Sequence, residues 1–136
     1  MTRGRFWTWM YWALLAAWLV AAALGMRGMH AGFVTSYLAD LTQPAWLYVY
    51  MRGLVPRARP KWWLLRTIGR TPERAAGVLF AASTLTEISQ IYWPRGMFRG
   101  RWDPYDVLAY GVGIGLCYAA ERWIAPPLNT MSPAEG

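Results

Sequence analysis

Charge, cysteine and histidine are scarce in this chain. Only 15% of its 136 residues are charged, well under the roughly 25% usual in soluble domains. The single cysteine, Cys117, excludes an internal disulfide. With His30 as the one histidine, no Cys or His pair has metal-ligand spacing. Neither a metal nor another cofactor is expected. A phosphate-cradling loop and a nucleophile–base pair are also lacking, so binding rather than catalysis is the expected activity.

Apolar residues dominate what remains. They make up 56% of the chain, ten of them tryptophan, and the net charge is +7 from 14 Lys+Arg against seven acids. A basic balance suits nucleic acid, an acidic partner or the cytoplasmic side of a membrane. The long apolar runs select the membrane over nucleic acid. The run 6–26 carries no charge and has the length of about 20 residues that crosses a bilayer core of about 30 Å. It exceeds the roughly 7–15 apolar residues of a signal sequence, and no polar cleavage region follows it, so it reads as a retained transmembrane helix. The run 33–51 also has spanning length, with Asp40 inside it and Pro44 as an expected kink.

Two further helices carry start signals. Thr71 can cap a helix with Pro72 in its first turn and Glu73 beside it, ahead of the apolar run 75–93. Asp103 and Pro104 open the last run, 105–124, in the same way. Between the second and third runs, PKWWLLRTIGR sets Trp62, Trp63, Leu64, Leu65 and Ile68 against Lys61, Arg66 and Arg70, the pattern of an interfacial amphipathic segment. The predicted architecture is all-α: one four-helix transmembrane domain over 1–125, with helices at about 6–26, 33–51, 75–93 and 105–124. A polar, proline-containing tail covers 126–136.

Placing both termini in the cytoplasm puts ten cations inside, seven of them between Arg52 and Arg74, and four outside: Arg27, Arg95, Arg99 and Arg101. That bias favours this orientation in a bacterial inner membrane. The basic 52–74 loop serves as a topology determinant that also touches anionic lipid. Tryptophans near the segment ends read as interfacial anchors, and His30 as an ordinary exposed residue of an outer turn.

With that topology the membrane acids share one level. Asp40, Glu87, Gln90, Asp103 and Asp106 fall within roughly 10 Å of the outer boundary at a rise of about 1.5 Å per residue. Each helix presents a polar face: Ser36, Asp40 and Gln43; Ser83 or Thr84, Glu87 and Gln90; Asp103, Asp106 and Tyr110. A charge facing lipid near the bilayer centre costs on the order of 3 kcal/mol, so these faces are expected to turn toward one another. Arg95, Arg99 and Arg101, in the loop after the third helix, are the expected partners of the acids. Asp103 and Asp106 have a plainer reading as a helix cap and its first-turn companion. Gly111 and Gly115 form a G-x-x-x-G suited to close helix packing, internal or in a dimer.

Glu87-x-x-Gln90, an arginine-bearing loop, the helix-opening Asp106 and the Gly111/Gly115 run together resemble the VanZ-like family of small bacterial membrane proteins. The resemblance covers residues 86–115. Tyr110 stands where that family usually carries Asn. Asp40 supplies only the acid of the family's earlier Asp-Lys-x-x-His signature. The resemblance implies a small integral membrane protein and no particular enzymatic mechanism. Two functions are expected from these features. In the first, the outer-leaflet acid/arginine site binds an envelope lipid or anionic headgroup without chemistry. In the second, the chain is an accessory subunit of a larger membrane complex, such as an energy-transducing one, and the charged cluster is internal glue.

Overall fold

The computed structural model describes residues 3–28, 33–54, 63–96 and 101–123. Among these the chain is helical throughout. Helices α1 (Arg3–Met26), α2 (Phe33–Val49), α3 (Trp63–Ile68), α4 (Pro72–Tyr92) and α5 (Pro104–Trp123) are joined by one π-helical turn, Tyr50–Leu54, that continues α2. The short α3 falls within the expected amphipathic segment. His30, Arg99 and the tail 126–136 lie outside the described residues, as does the stretch 55–62 of the basic loop.

Local chemistry explains where the helices begin and end. At α4 the Thr71 hydroxyl accepts from the Arg74 backbone N–H at 3.2 Å, with Pro72 in the first helical position, where its missing N–H costs nothing. At α5 the Asp103 carboxylate accepts from the Tyr105 backbone N–H at 2.9 Å. Gly28 follows α1 at φ +68°, the left-handed conformation that commonly closes a helix, with its N–H donating to the Gly25 carbonyl at 3.1 Å. Helix α2 runs unbroken past Pro44.

The long helices pack as α1 on α2, α2 on α5, and α5 on α4, with α2 also touching α4. Asp40, Ala45 and Tyr48 of α2 meet Tyr110, Cys117 and Glu121 of α5 in that order, so these two helices run parallel. Helices α1 and α4 run the opposite way. Trp7 at the start of α1 lies against Gly53 after α2, and Glu87 and Glu73 of α4 meet Tyr110 and Tyr118 respectively. The contact of α1 with α2 is aromatic: Trp46 stacks on Trp18 with centroids 6.3 Å apart and touches Tyr11.

The closest approach in the bundle is at Gly113, between α2 and α5. A Cβ added there would overlap the Leu41 carbonyl oxygen and press on the Ala45 methyl group. Of the two glycines read as a packing motif, a Cβ added at Gly111 would lie 3.4 Å from the Phe80 ring, whereas nothing lies within 4 Å of a Cβ on Gly115. The residue between them makes the backbone contact.

The outward faces are apolar. Trp9, Leu85, Leu108 and Leu116 are each more than 60% exposed. Yet Glu87, Glu121 and Arg52 are 3%, 2% and 7% exposed. By length and composition, only Gly4–Met26 among the described residues is apolar enough to cross a membrane. Helix α2 has 17 residues, and α4 and α5 carry the exposed Glu73, Arg74 and Arg122 as well as the buried Glu87 and Glu121.

Gly113→Ala is expected to lower stability by about 1–3 kcal/mol through overpacking. Gly115→Ala, with open space around it, should be neutral or gain up to about 1 kcal/mol. Denaturation midpoints of the two variants in the same detergent check this pair.

Candidate functional site

Two polar clusters lie at opposite ends of the α2–α5 seam. At one end, where α2 begins, Asp40 from α2, Glu87 from α4 and Tyr110 from α5 converge. The Tyr110 hydroxyl donates to Glu87 Oε1 at 2.8 Å and lies 3.4 Å from Asp40 Oδ1. Gln90, one turn along α4, donates its side-chain N–H to the same Glu87 oxygen at 3.3 Å. The other oxygen, Glu87 Oε2, is buried and has no hydrogen-bond partner among the described residues. Asp106, in the first turn of α5, stands at this same end. Asp103 has a full set of partners, capping α5 through Oδ1 and accepting from the Tyr37 hydroxyl at 2.8 Å through Oδ2.

Of the acids expected at one level, Asp40 and Glu87 meet through the Tyr110 hydroxyl, while Asp103 bonds Tyr37 and the start of α5. Their expected cations do not join them among the described residues. Arg95 and Arg101 are both exposed, and the ion pairs found there are Arg52–Glu121 and Arg122–Glu73. Acids and loop arginines lie at the same end of the bundle, with the acids inside and these two arginines at the surface.

The second cluster went unread in the sequence. Arg52, counted as a loop cation, leaves the π-helical turn and is buried against Glu121 of α5. Its Nε donates to Glu121 Oε1 at 3.0 Å and Oε2 at 3.1 Å, and its Nη2 donates to Oε1 as well. The Tyr48 hydroxyl donates to Glu121 Oε2 at 2.6 Å. On its other side, Arg52 Nη1 donates to the carbonyls of Gly69 at 2.6 Å and Arg70 at 3.2 Å. These carbonyls follow the last turn of α3, so Arg52 pins the short helix to the bundle. Gly69 is needed for that fit, since a Cβ there would lie 2.8 Å from the Met51 carbonyl oxygen. A lone glutamate eleven residues beyond Tyr110, on the same helical face, was the sequence signal for this contact.

Outside this pair, Glu73 accepts from the Tyr118 hydroxyl at 3.2 Å and lies 3.8 Å from Arg122. Hydrogen bonding to its own backbone N–H, followed by Tyr118 and Arg122, holds its carboxyl below the ordinary glutamate range. The pair is solvent-exposed and contributes little to stability.

The two clusters have different chemical capacities. At the Arg52 end the charges cancel and both carboxylate oxygens are occupied, so the arrangement is an anchor. The Asp40–Glu87–Asp106 end holds an excess of negative charge and an unused oxygen, so it can accept a proton or a cation. No group of three or more possible metal ligands is found among the described residues. No family model matches this chain, and no curated protein or solved structure matches it.

Glu121→Leu should cost about 3–5 kcal/mol by stranding a buried guanidinium. The double variant Arg52→Met/Glu121→Leu should recover most of that loss. A double-mutant cycle by denaturant unfolding measures the coupling, and additive losses would contradict a paired role.

Proposed function

We propose that this chain is a four-span integral protein of the bacterial inner membrane, VanZ-like in kind, with both termini cytoplasmic. Its outer-leaflet site would bind the headgroup of an envelope lipid without chemistry. The observation that carries this reading is the inverted distribution of polarity. Three charged residues are buried between helices while tryptophan and leucine cover the outside, which suits a lipid surround and not water. Helix length agrees, since about 20 helical residues span about 30 Å. The cation count supports the orientation, with Arg66, Arg70 and Arg74 exposed at the end opposite the acids.

The headgroup reading follows from the acid end. Arg95 and Arg101 are exposed there and make no ion pair among the described residues. Guanidinium groups at an interface suit a phosphate, which they bind by charge-assisted paired hydrogen bonds. Beneath them, Glu87 and Gln90 of the VanZ-like motif touch each other and Asp106 opens α5 at the same end, whereas Tyr110, which bonds Glu87, departs from the family's usual Asn. The anionic lipid expected at the 52–74 loop remains part of the proposal, carried by Arg66, Arg70 and Arg74, while Arg52 serves inside.

A second reading is favoured by a different surface. A groove of about 420 Å³ runs between α4 and α5, lined by Ala76, Gly77, Phe80, Gly111, Ile114 and Gly115. Its small residues would let a neighbouring membrane helix lie close, as in an accessory subunit of a larger complex. Migration as a free monomer after gentle solubilisation would remove that alternative.

Native mass spectrometry of the purified protein with phospholipid tests the headgroup reading. The protein should retain phospholipid, and Arg101→Ala should weaken retention about tenfold, the value of one charge-assisted phosphate contact. Equal retention by a well-folded Arg101→Ala protein and by Glu87→Gln would overturn it.

A further inference from the structure

We propose that the acid end of the bundle is a receptor for a primary ammonium group, accepted by Asp40, Glu87 and Asp106. The inference deepens the headgroup reading and rests on it only for the source of the amine. Its starting point is the unused oxygen of Glu87. That residue is 3% exposed, its Oε1 takes the hydrogen bonds of Tyr110 and Gln90, and its Oε2 has no partner among the described residues. Buried carboxylate oxygens are normally satisfied, so an orphan at this depth points to a donor supplied from elsewhere.

The neighbouring acids need a donor too. Tyr110 has one hydroxyl proton, and the 2.8 Å contact to Glu87 is better than the 3.4 Å contact to Asp40. Asp40 is left with that long contact. Asp103 has no such need, since its oxygens are used by the Tyr105 backbone and the Tyr37 hydroxyl. Carboxyl groups from α2 and α4 thus share one phenol, with Asp106 of α5 at the same end and no described cation paired with them.

The geometry selects the class of cation. An ammonium group carries three diverging N–H donors and no acceptor, which suits an end of the bundle rich in acceptors and poor in donors. A metal ion needs oxygens drawn close around it, and no such group of ligands is found among the described residues. A quaternary ammonium has no N–H to give. Access is from the end of the bundle, because Asp40 and Asp106 are only half-buried and Asp106 lies in the first turn of α5. Arg95 and Arg101 are exposed at that same end. A molecule with a phosphate beside a primary amine would satisfy both halves of the site, with phosphate on arginine and amine on acid.

Native mass spectrometry of the full chain, titrated with phosphatidylethanolamine, phosphatidylcholine and phosphatidylglycerol of identical acyl chains, tests this. The ethanolamine lipid should bind at least about tenfold more tightly than the other two, the effect of one good charged hydrogen bond. Asp40→Asn and Asp106→Asn should each erase that preference, and Arg122→Gln at the opposite end should keep it. The comparison of lipids on the unaltered protein stands even where a variant fails to fold. Equal affinity for all three lipids would overturn the ammonium inference and leave the headgroup reading in place. Choline binding as tight as ethanolamine would also overturn it. Stabilisation by free ethanolamine, without retention of any phospholipid, would uphold the ammonium site and end the headgroup reading. With neither effect, both fall.

Discussion

The close parallel contact between α2 and α5 is the constraint on which the rest of the structure depends. It is made possible by Gly113, where the absence of a side chain lets α5 approach the Leu41 carbonyl. Above that point Asp40 meets the phenol of Tyr110, and below it Tyr48 and Arg52 meet Glu121. Separating the helices by the width of a methyl group would stretch the polar contacts at both ends together. Cys117, with its thiol 3.8 Å from the Ala45 carbonyl, fills the dry middle as a small apolar group rather than a reactive one.

The two ends of this seam use similar residues for different purposes. Glu121 is surrounded by donors, and the guanidinium that pairs with it also binds two backbone carbonyls. Such a neutral, fully satisfied network fixes one geometry. Glu87 sits equally deep but is surrounded by other acids, Gln90 and a phenol. Removing a carboxylate from water is costly unless opposite charge or hydrogen bonds replace the solvent. An arrangement of this kind has little structural benefit of its own. A cationic ligand would supply the balancing charge that the acid end lacks, whereas the arginine end already carries its own. In the proposed function, the binding role therefore falls to the acid end.

Much of the helical architecture was legible in the sequence because helix boundaries depend on local composition. Thr71-Pro72-Glu73 and Asp103-Pro104 announced two helix starts, and both cap as their chemistry dictates. The period that aligned Asp40, Glu87 and Tyr110 was equally local, and the three side chains do meet. Long-range partners were harder to read. Arg52 was one cation within a basic run, and nothing in its neighbourhood distinguished an anchor from a topology signal. Only a π-helical turn and a glutamate 69 positions later reveal its role. The glycine spacing suggested Gly111 and Gly115, but a G-x-x-x-G does not say which face meets which helix. The backbone contact fell to Gly113. Opposite charges in one stretch suggested acid–arginine pairing; the described residues instead put the acids together inside, with Arg95 and Arg101 at the surface.

The central claim is that this bundle keeps its charges inside and turns its apolar side chains to lipid. Spin labels placed singly at positions 85, 108 and 116 of a Cys117→Ala protein in liposomes test it most directly, through their relative accessibility to oxygen and to a water-soluble nickel chelate. Strong collision with oxygen and almost none with the chelate is expected at all three positions. Ready access of the chelate to those positions would contradict the claim.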